Sequence, residues 1–301
     1  MFGGTRQPAT QSNMRTSLEH RFAGRTLGVA TMHGKELVIG PPLMKVLPLA
    51  GYRAIPDLDT DRFGAFSGEV QRTTDPLTAA IAKAKHGAEV SGMDLVIASE
   101  GSFGPYPLAP FLSCNEEFLL LFDARDGSTY AYKHLSLETV FGGQLCTSLE
   151  QVTVFAERMK FPEHGLVLRP KETWELGNAL EKGIHDADRL RSVAEELITI
   201  NGSAWVETDM RAMANPTRMK VIAQTAERFA AELASICPQC GMFHFRITDV
   251  KAGLPCQLCG WPTKSTKWYI RECAQCHHRI EEPRPDGKQE EDPQHCDHCN
   301  P

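Results

Sequence analysis

From residue 26 onward, short apolar runs alternate with stretches of helical spacing. Residues 26–32 (TLGVATM) form a continuous apolar run of strand length, which predicts a buried strand. Residues 42–49 suggest a short helix, and residues 53–56 an extended segment. Asp75 followed by Pro76 is a helix cap with proline at the first helical position. The helix it opens is expected to run to Ser91 and stop at Gly92. Residues 94–99 (DLVIAS) read as a second strand. Residues 117–123 and 129–134 flank a DGS turn and suggest a hairpin. Ser148 with Gln151 forms a capping box for a helix reaching about Met159. A strand at 165–169, a helix at 186–198, a strand at 204–207 and a helix at 216–236 capped by Asn215 complete the series. The alternation predicts an α/β domain with a central mixed sheet over residues 26–236. Residues 1–25, rich in Gly, Ser, Thr and Gln, read as a disordered leader.

Composition places the chain among ordinary proteins rather than membrane spans. It is 42% hydrophobic with a formal net charge of −6, and no apolar run approaches the ~18 residues of a spanning helix. The N-terminus lacks a charged start followed by an apolar stretch, so a cytoplasmic location is expected. Cys114 and Cys146 fit small buried hydrophobes in a reducing compartment.

The remaining eight cysteines change the picture. They fall in residues 237–301 as four C-x-x-C pairs, Cys237/Cys240, Cys256/Cys259, Cys273/Cys276 and Cys296/Cys299. Two such pairs supply the four thiolates of a closed tetrahedral zinc site, and the spacings fit that pattern. Two structural zinc ions are therefore expected, in a small double zinc-ribbon-like module. Gly241 and Gly260 follow the second cysteine of the first two pairs, where positive φ turns backbone N–H groups toward sulfur. Sequential pairing, first with second and third with fourth, is favoured over an interleaved cross-brace. The segment is too poor in large apolar side chains to fold unaided, so metal must supply stability. Its eight Lys+Arg against nine Asp+Glu, with the charge of two zinc tetrathiolates, argue against nucleic acid as its partner.

Four polar segments stand out in the α/β region. The first holds His33, Gly34 and Lys35 after the first strand, where a basic loop suits an anionic ligand. The second, residues 57–69, contains Asp57, Asp59, Asp61 and Glu69, a set able to bind Mg²⁺. The third follows DLVIAS and contains Glu100, Gly101 and Ser102. The fourth holds Glu207, Asp209, Arg211 and Arg218, in which an arginine fork could grip phosphate or pair with a neighbouring carboxylate.

Together ATMHGKE, DTDRFGAFSGE, IASEGSFGP, ETDMRAMANPTRM, CPQCG, GLPCQLCG and CDHCNP resemble a bacterial family of unknown function over nearly the whole chain from residue 26. The resemblance implies an α/β domain joined to a cysteine-rich tail. A second similarity is to nucleotide pyrophosphatases that clear non-canonical purine triphosphates. It is carried by the order of Gly34-Lys35, Lys83-Ala84-Lys85 and Glu100-Gly101-Ser102. That similarity implies that Lys35 and Lys83 hold phosphates while Glu69 and Glu100 hold Mg²⁺ or orient water. The paired-aspartate DDSG signature of those enzymes is absent here.

Two readings follow. One is an enzyme acting on a nucleotide or other anionic small molecule, with Lys35, Glu69 and Glu100 catalytic and His33, Ser102, Asp209, Arg211 and Arg218 binding ligand. The other is a non-catalytic adaptor whose zinc module docks a protein partner.

Overall fold

The computed structural model describes residues 11–56, 58, 75–107, 109–173 and 181–301. In chain order the elements are α1 (Gln11–Phe22), β1 (Thr26–Ala30), α2 (Glu36–Val46), β2 (Gly51–Ala54), α3 (Pro76–Ser91), β3 (Leu95–Tyr106), β4 (Ala109–Asp123) and β5 (Ser128–Ser136). There follow β6 (Gly143–Cys146), α4 (Leu149–Arg158), β7 (Leu166–Arg169), β8 (Glu181–Ile184), α5 (Ala187–Asn201), β9 (Ala204–Thr208) and α6 (Pro216–Leu233). The last three strands are β10 (Arg246–Ala252), β11 (Thr266–Glu272) and β12 (Arg279–Pro283). Two compact units result: Gly24–Lys45 with Leu49–Phe229, and Met1–Ala23 with Val46–Pro48 and Ala230–Pro301.

The larger unit is α/β and contains two sheets rather than the single central sheet expected. The first is mixed, with order β2-β1-β3-β4-β5. β1 pairs in parallel with both β2 and β3, whereas β3, β4 and β5 form an antiparallel meander. The second sheet, of order β6-β9-β7-β8, is antiparallel throughout. It carries α4 and α5 over Phe155, Leu166, Leu168, Leu190, Ala194 and Val206.

In the first sheet the chain leaves β1 toward β2 through α2 and returns across β1 to β3 through α3. Right-handed crossovers in opposite directions put the two helices on opposite faces. The packing agrees. Ala80, Ala84 and Ala88 of α3 meet Ala30, Val96, Ala98, Leu120 and Phe122. Gly40 of α2 lies against the ring of Tyr52, a residue in register with Leu27 on the other face. α6 covers that second face further along, where His134 Nδ1 meets Thr225 Oγ1 at 3.1 Å and Tyr132 stacks on Phe229. The gap between β1 and β3, at the carboxyl end of β1, is thus the switch point at which open α/β sheets bind ligands.

Local signals explain much of this. Asp75 Oδ1 accepts from the N–H groups of Leu77 and Thr78, and Gly92 ends α3 at φ 66°. Asn215 Oδ1 accepts from the Arg218 N–H at 2.9 Å and starts α6. Three departures have physical causes. β3 runs through the segment read as a loop after Ser99, because Gly101 to Pro105 stay paired with Glu117 to Ser113 of β4. The helix expected at 42–49 begins earlier, at Glu36, with Pro41 and Pro42 inside it. The strands β6 and β8 are too short, at four residues each, to show an alternation.

In the smaller unit β10, β11 and β12 form an antiparallel sheet. One cluster in it joins Cys237, Cys273 and Phe245, with Met242, Cys276 and Ile280 packed around them, and Phe22, Leu47, Leu233, Phe243 and Leu254 are buried in the same unit. The segment read as a disordered leader contributes α1, while residues 1–10 lie outside the described residues. Ser17 Oγ donates to the Gly241 carbonyl at 2.8 Å, and Phe22 packs edge-on against Phe243 at 5.2 Å.

Candidate functional site

Two four-cysteine clusters occur among the described residues: Cys237, Cys240, Cys273 and Cys276, and Cys256, Cys259, Cys296 and Cys299. Pairing is therefore interleaved, first with third and second with fourth, which corrects the sequential arrangement. The sheet is the reason. β10 holds seven residues, which at ~3.3 Å each carries the second pair about 23 Å from the first. Antiparallel β11 brings the third pair back, since Glu272 lies opposite Arg246. β12 runs outward again, with Arg279 opposite Glu272 and Pro283 opposite Trp268, and delivers the fourth pair to the second.

The sulfur positions fit zinc. Four sulfurs placed ~2.3 Å from a tetrahedral zinc lie about 3.8 Å from one another. The Cys237–Cys276, Cys240–Cys273, Cys259–Cys296 and Cys256–Cys299 separations are 3.6, 3.6, 3.7 and 3.9 Å. These exceed a disulfide's ~2.05 Å and leave no coordination position open. Gly241 and Gly260 take φ 75° and 72°, and their N–H groups donate to the carbonyls of Cys237 and Cys256. In the third knuckle His277 occupies the same position at φ 57°. Burial pushes the Cys256 thiol up, but N–H donors from Cys259 and Leu258 and thiol hydrogen bonds outweigh it and hold the group at about 7.

The second site lies in the larger unit, at the switch point. Lys35, just beyond β1, is buried and donates from Nζ to Ser99 Oγ at 2.9 Å. Lys83, buried on α3, forms an ion pair with Glu100. Successive side chains of β3 point to opposite faces, so Ser99 and Gly101 face α6 and Glu100 faces α3. On the α6 side Arg218, fully buried, donates from Nε to Glu117 Oε1 at 2.8 Å and from Nη1 to the Met210 carbonyl. Gly101 makes room for this pair: a Cβ there would strike Arg218 Nη2 and lie 2.8 Å from Glu117 Oε1. Arg211 grips the buried carboxylate of Asp209 through Nε and Nη2.

These groups bear on one another electrostatically. Burial first, then the charges of Lys35, Arg218, Arg211 and Lys83, push His33 down to about 3. Lys35 is lowered to about 7, by burial first and then by the charges of Arg218 and Lys83, with Glu117 and Glu100 opposing them. The charges of four basic side chains thus bear on a neutral imidazole, and three of them, Lys83, Arg211 and Arg218, are ion-paired with Glu100, Asp209 and Glu117. Among the described residues, neither amide atom of the fully buried Asn115 nor Oε2 of Glu117 meets a hydrogen-bond partner. A buried amide with nothing to bond is costly.

Of the residues singled out in the sequence, His33, Lys35, Glu100, Asp209, Arg211 and Arg218 come together here. Ser102 lies further along β3, opposite Glu116, and lines a separate cleft. Glu69, with Asp57, Asp59 and Asp61, lies outside the described residues. Arg211 pairs with Asp209, as the structural alternative held, whereas Arg218 pairs with a residue the sequence did not suggest, Glu117. Glu207 instead holds Arg169, Oε1 to Nη1 at 2.7 Å and Oε2 to Nη2 at 2.8 Å. Sequence reading also passed over Asn115 and Glu117. Two polar residues beside the apolar run of β4 were the available signal.

Among the described residues no helix is long and apolar enough to cross a membrane. No curated protein matches the chain. A family model does match, over residues 83–301, so that Lys83 is its first residue and His33 and Lys35 precede it. With well over half its length matched, the chain belongs to the family described as Domain of unknown function (DUF6671).

Proposed function

We propose that the larger unit binds a phosphate-bearing or similarly anionic small molecule at the switch point, as an enzyme of such substrates, and that each cysteine cluster holds a structural zinc. One observation carries the first part: the charges of Lys35, Lys83, Arg211 and Arg218 all bear on His33, just beyond the carboxyl end of β1. Preorganised cations in a dry site are worth far more toward an anion than the same charges in water. Lys35 adds a proton couple. With its pKa near 7, its Nζ takes up a proton when an anion arrives, so binding draws protons from solution. His33 stays neutral and acts as a hydrogen-bonding group. A Mg²⁺ accompanying the substrate would compete with Lys83 for Glu100.

A melting panel of nucleoside mono-, di- and triphosphates with and without Mg²⁺, run on the wild type and on Glu100→Gln, tests this reading. A ligand at a hundred times its Kd stabilises by about 2.7 kcal/mol, so a rise in Tm is expected for the wild type. Turnover that is lost in Glu100→Gln would extend the reading to catalysis. No rise and no turnover with any anion would contradict it.

A second reading, an adaptor docking a protein through the cysteine module, draws on Leu258 and Trp261, 74% and 55% exposed at the second knuckle. Leu258→Ser with Trp261→Ser, both zinc ions retained, would abolish such docking and leave anion binding intact.

A further inference from the structure

We infer that the cleft beside the cation cluster is the ring subsite of the same site, and that the ligand is therefore a nucleoside phosphate. The inference rests on the anion reading above and names its substrate class. The cleft, of about 570 Å³, is lined by Ser102, Phe103, Phe141, Trp205, Glu207 and Thr208 among others. That lies within the ~300–1,000 Å³ usual for ligand pockets.

Its walls are flat and aromatic. Phe103 and Phe141 stack with ring centroids 5.7 Å apart and planes inclined by 27°. Phe141 stays 40% exposed, an aromatic face presented at the surface of the unit. Trp205 is held in place twice over. Its Nε1 donates to Glu207 Oε2 at 2.8 Å. Its indole also lies against the backbone of Gly143, where a Cβ would come within 3.0 Å of Cε2. Gly143 is therefore a positioning residue for that ring. Thr208 Oγ1 accepts from the Gly142 N–H at 3.1 Å and fixes the strand entrance on which Phe141 stands. Such surfaces suit a planar heteroaromatic ring, because every base presents a π-face for stacking.

The polar groups are placed to read a ring edge. The Glu207 carboxylate, of roughly four acceptor positions, gives two to Arg169 and one to Trp205. One position remains for an N–H of a base.

Arg218 links the two subsites. Its guanidinium carbon lies 5.3 Å from the Phe103 ring centroid, and it donates to the carbonyl of Met210, a cleft residue. The same charge acts on Lys35 and His33. Arg218 thus touches the wall of the aromatic cleft and bears on Lys35 and His33, and a ligand with a ring at one end and phosphates at the other would engage both.

The test is calorimetric titration of the full zinc-loaded chain with Mg²⁺ and inorganic tripolyphosphate, then with purine and pyrimidine nucleoside triphosphates. The expected result is that at least one nucleoside triphosphate binds about tenfold or more tightly than tripolyphosphate. In Phe141→Ser and Gly143→Ala that ratio falls toward one. Phe141 is exposed enough for its variant to fold, which guards against failure of the other. Equal affinity for nucleotide and tripolyphosphate, or an unchanged ratio in both variants, would overturn the cleft assignment while leaving the anion site standing. Binding of neither would overturn both.

Discussion

The cysteine module and the switch-point cluster both gather buried polar groups, but they are assembled in opposite ways. In the module each pair of ligands comes from one tight turn, and the chain has only to bring two turns together. In the α/β unit the gathered residues come from the end of β1, from α3, β3 and β4, from the turn after β9 and from α6. They fall in separate stretches of the chain, around 33–35, at 83, around 99–101, at 115–117 and over 209–218. The first arrangement announces its chemistry through spacing. The second acquires its chemistry from topology, through the crossover that puts Lys35 beside Ser99.

The largest effect should come from removing metal. Zinc-dependent peptides draw about 10–16 kcal/mol from their ion, and the ligand cysteines Cys237 and Cys273 are themselves part of a buried cluster of the module. Chelation should therefore unfold the module, read as loss of near-ultraviolet signal from Trp261 and Trp268. Cys237→Ser sharpens the pairing. It should expose Cys273 and Cys276 to alkylation and leave Cys256, Cys259, Cys296 and Cys299 protected. Labelling of Cys256 and Cys259 instead would mean sequential pairing.

The next effect concerns Arg218. Arg218→Met leaves Glu117 buried and unpaired, which typically costs about 3–5 kcal/mol; urea unfolding of the larger unit measures it. Arg218→Lys should rescue little. One ammonium cannot reproduce the fork that serves Glu117 and the Met210 carbonyl together. A loss under 1 kcal/mol would show that the pair adds nothing to the fold.

How much of this could be read in advance follows from the same contrast. The helix from Pro76 to Ser91 was legible because Asp75, Pro76 and Gly92 act locally, at its own ends. The eight ligands were legible for the same reason. Which knuckles share an ion was not, because it depends on β10 being extended and on the register of Arg246 with Glu272. Gly101 read as part of a loop. Its actual task, clearing space for a guanidinium from α6, appears only when residues over a hundred positions apart are brought together. Asn115 and Glu117 were hidden beside an apolar run whose periodicity reported only the sheet.

Gly101→Ala gives a smaller, more local test. The added methyl collides with the Arg218–Glu117 pair, and overpacking of this kind costs about 1–3 kcal/mol. The same substitution at Gly104, whose Cβ would meet nothing within 4 Å, should be close to neutral.

The smallest effect is a slope. Lys35 is lowered from 10.5 to about 7 in the folded protein, so between these values the unfolded chain holds a proton that the folded chain lacks. Stability contributed through this group therefore rises with pH from about 7 to 10.5 and is flat below 7. Lys35→Met should remove that part of the slope in urea midpoints measured across the window. An identical slope in the variant would assign it to other groups.

The switch-point cluster as a ligand site, rather than a buried ion network, is the central claim. Calorimetric titration with tripolyphosphate in two buffers of different ionisation enthalpy tests it most directly, on wild type and on Lys35→Met. The wild type should bind with proton uptake near pH 7.5, and the variant at least tenfold more weakly with that uptake gone. No binding by the wild type, or equal affinity in the two proteins, would contradict it.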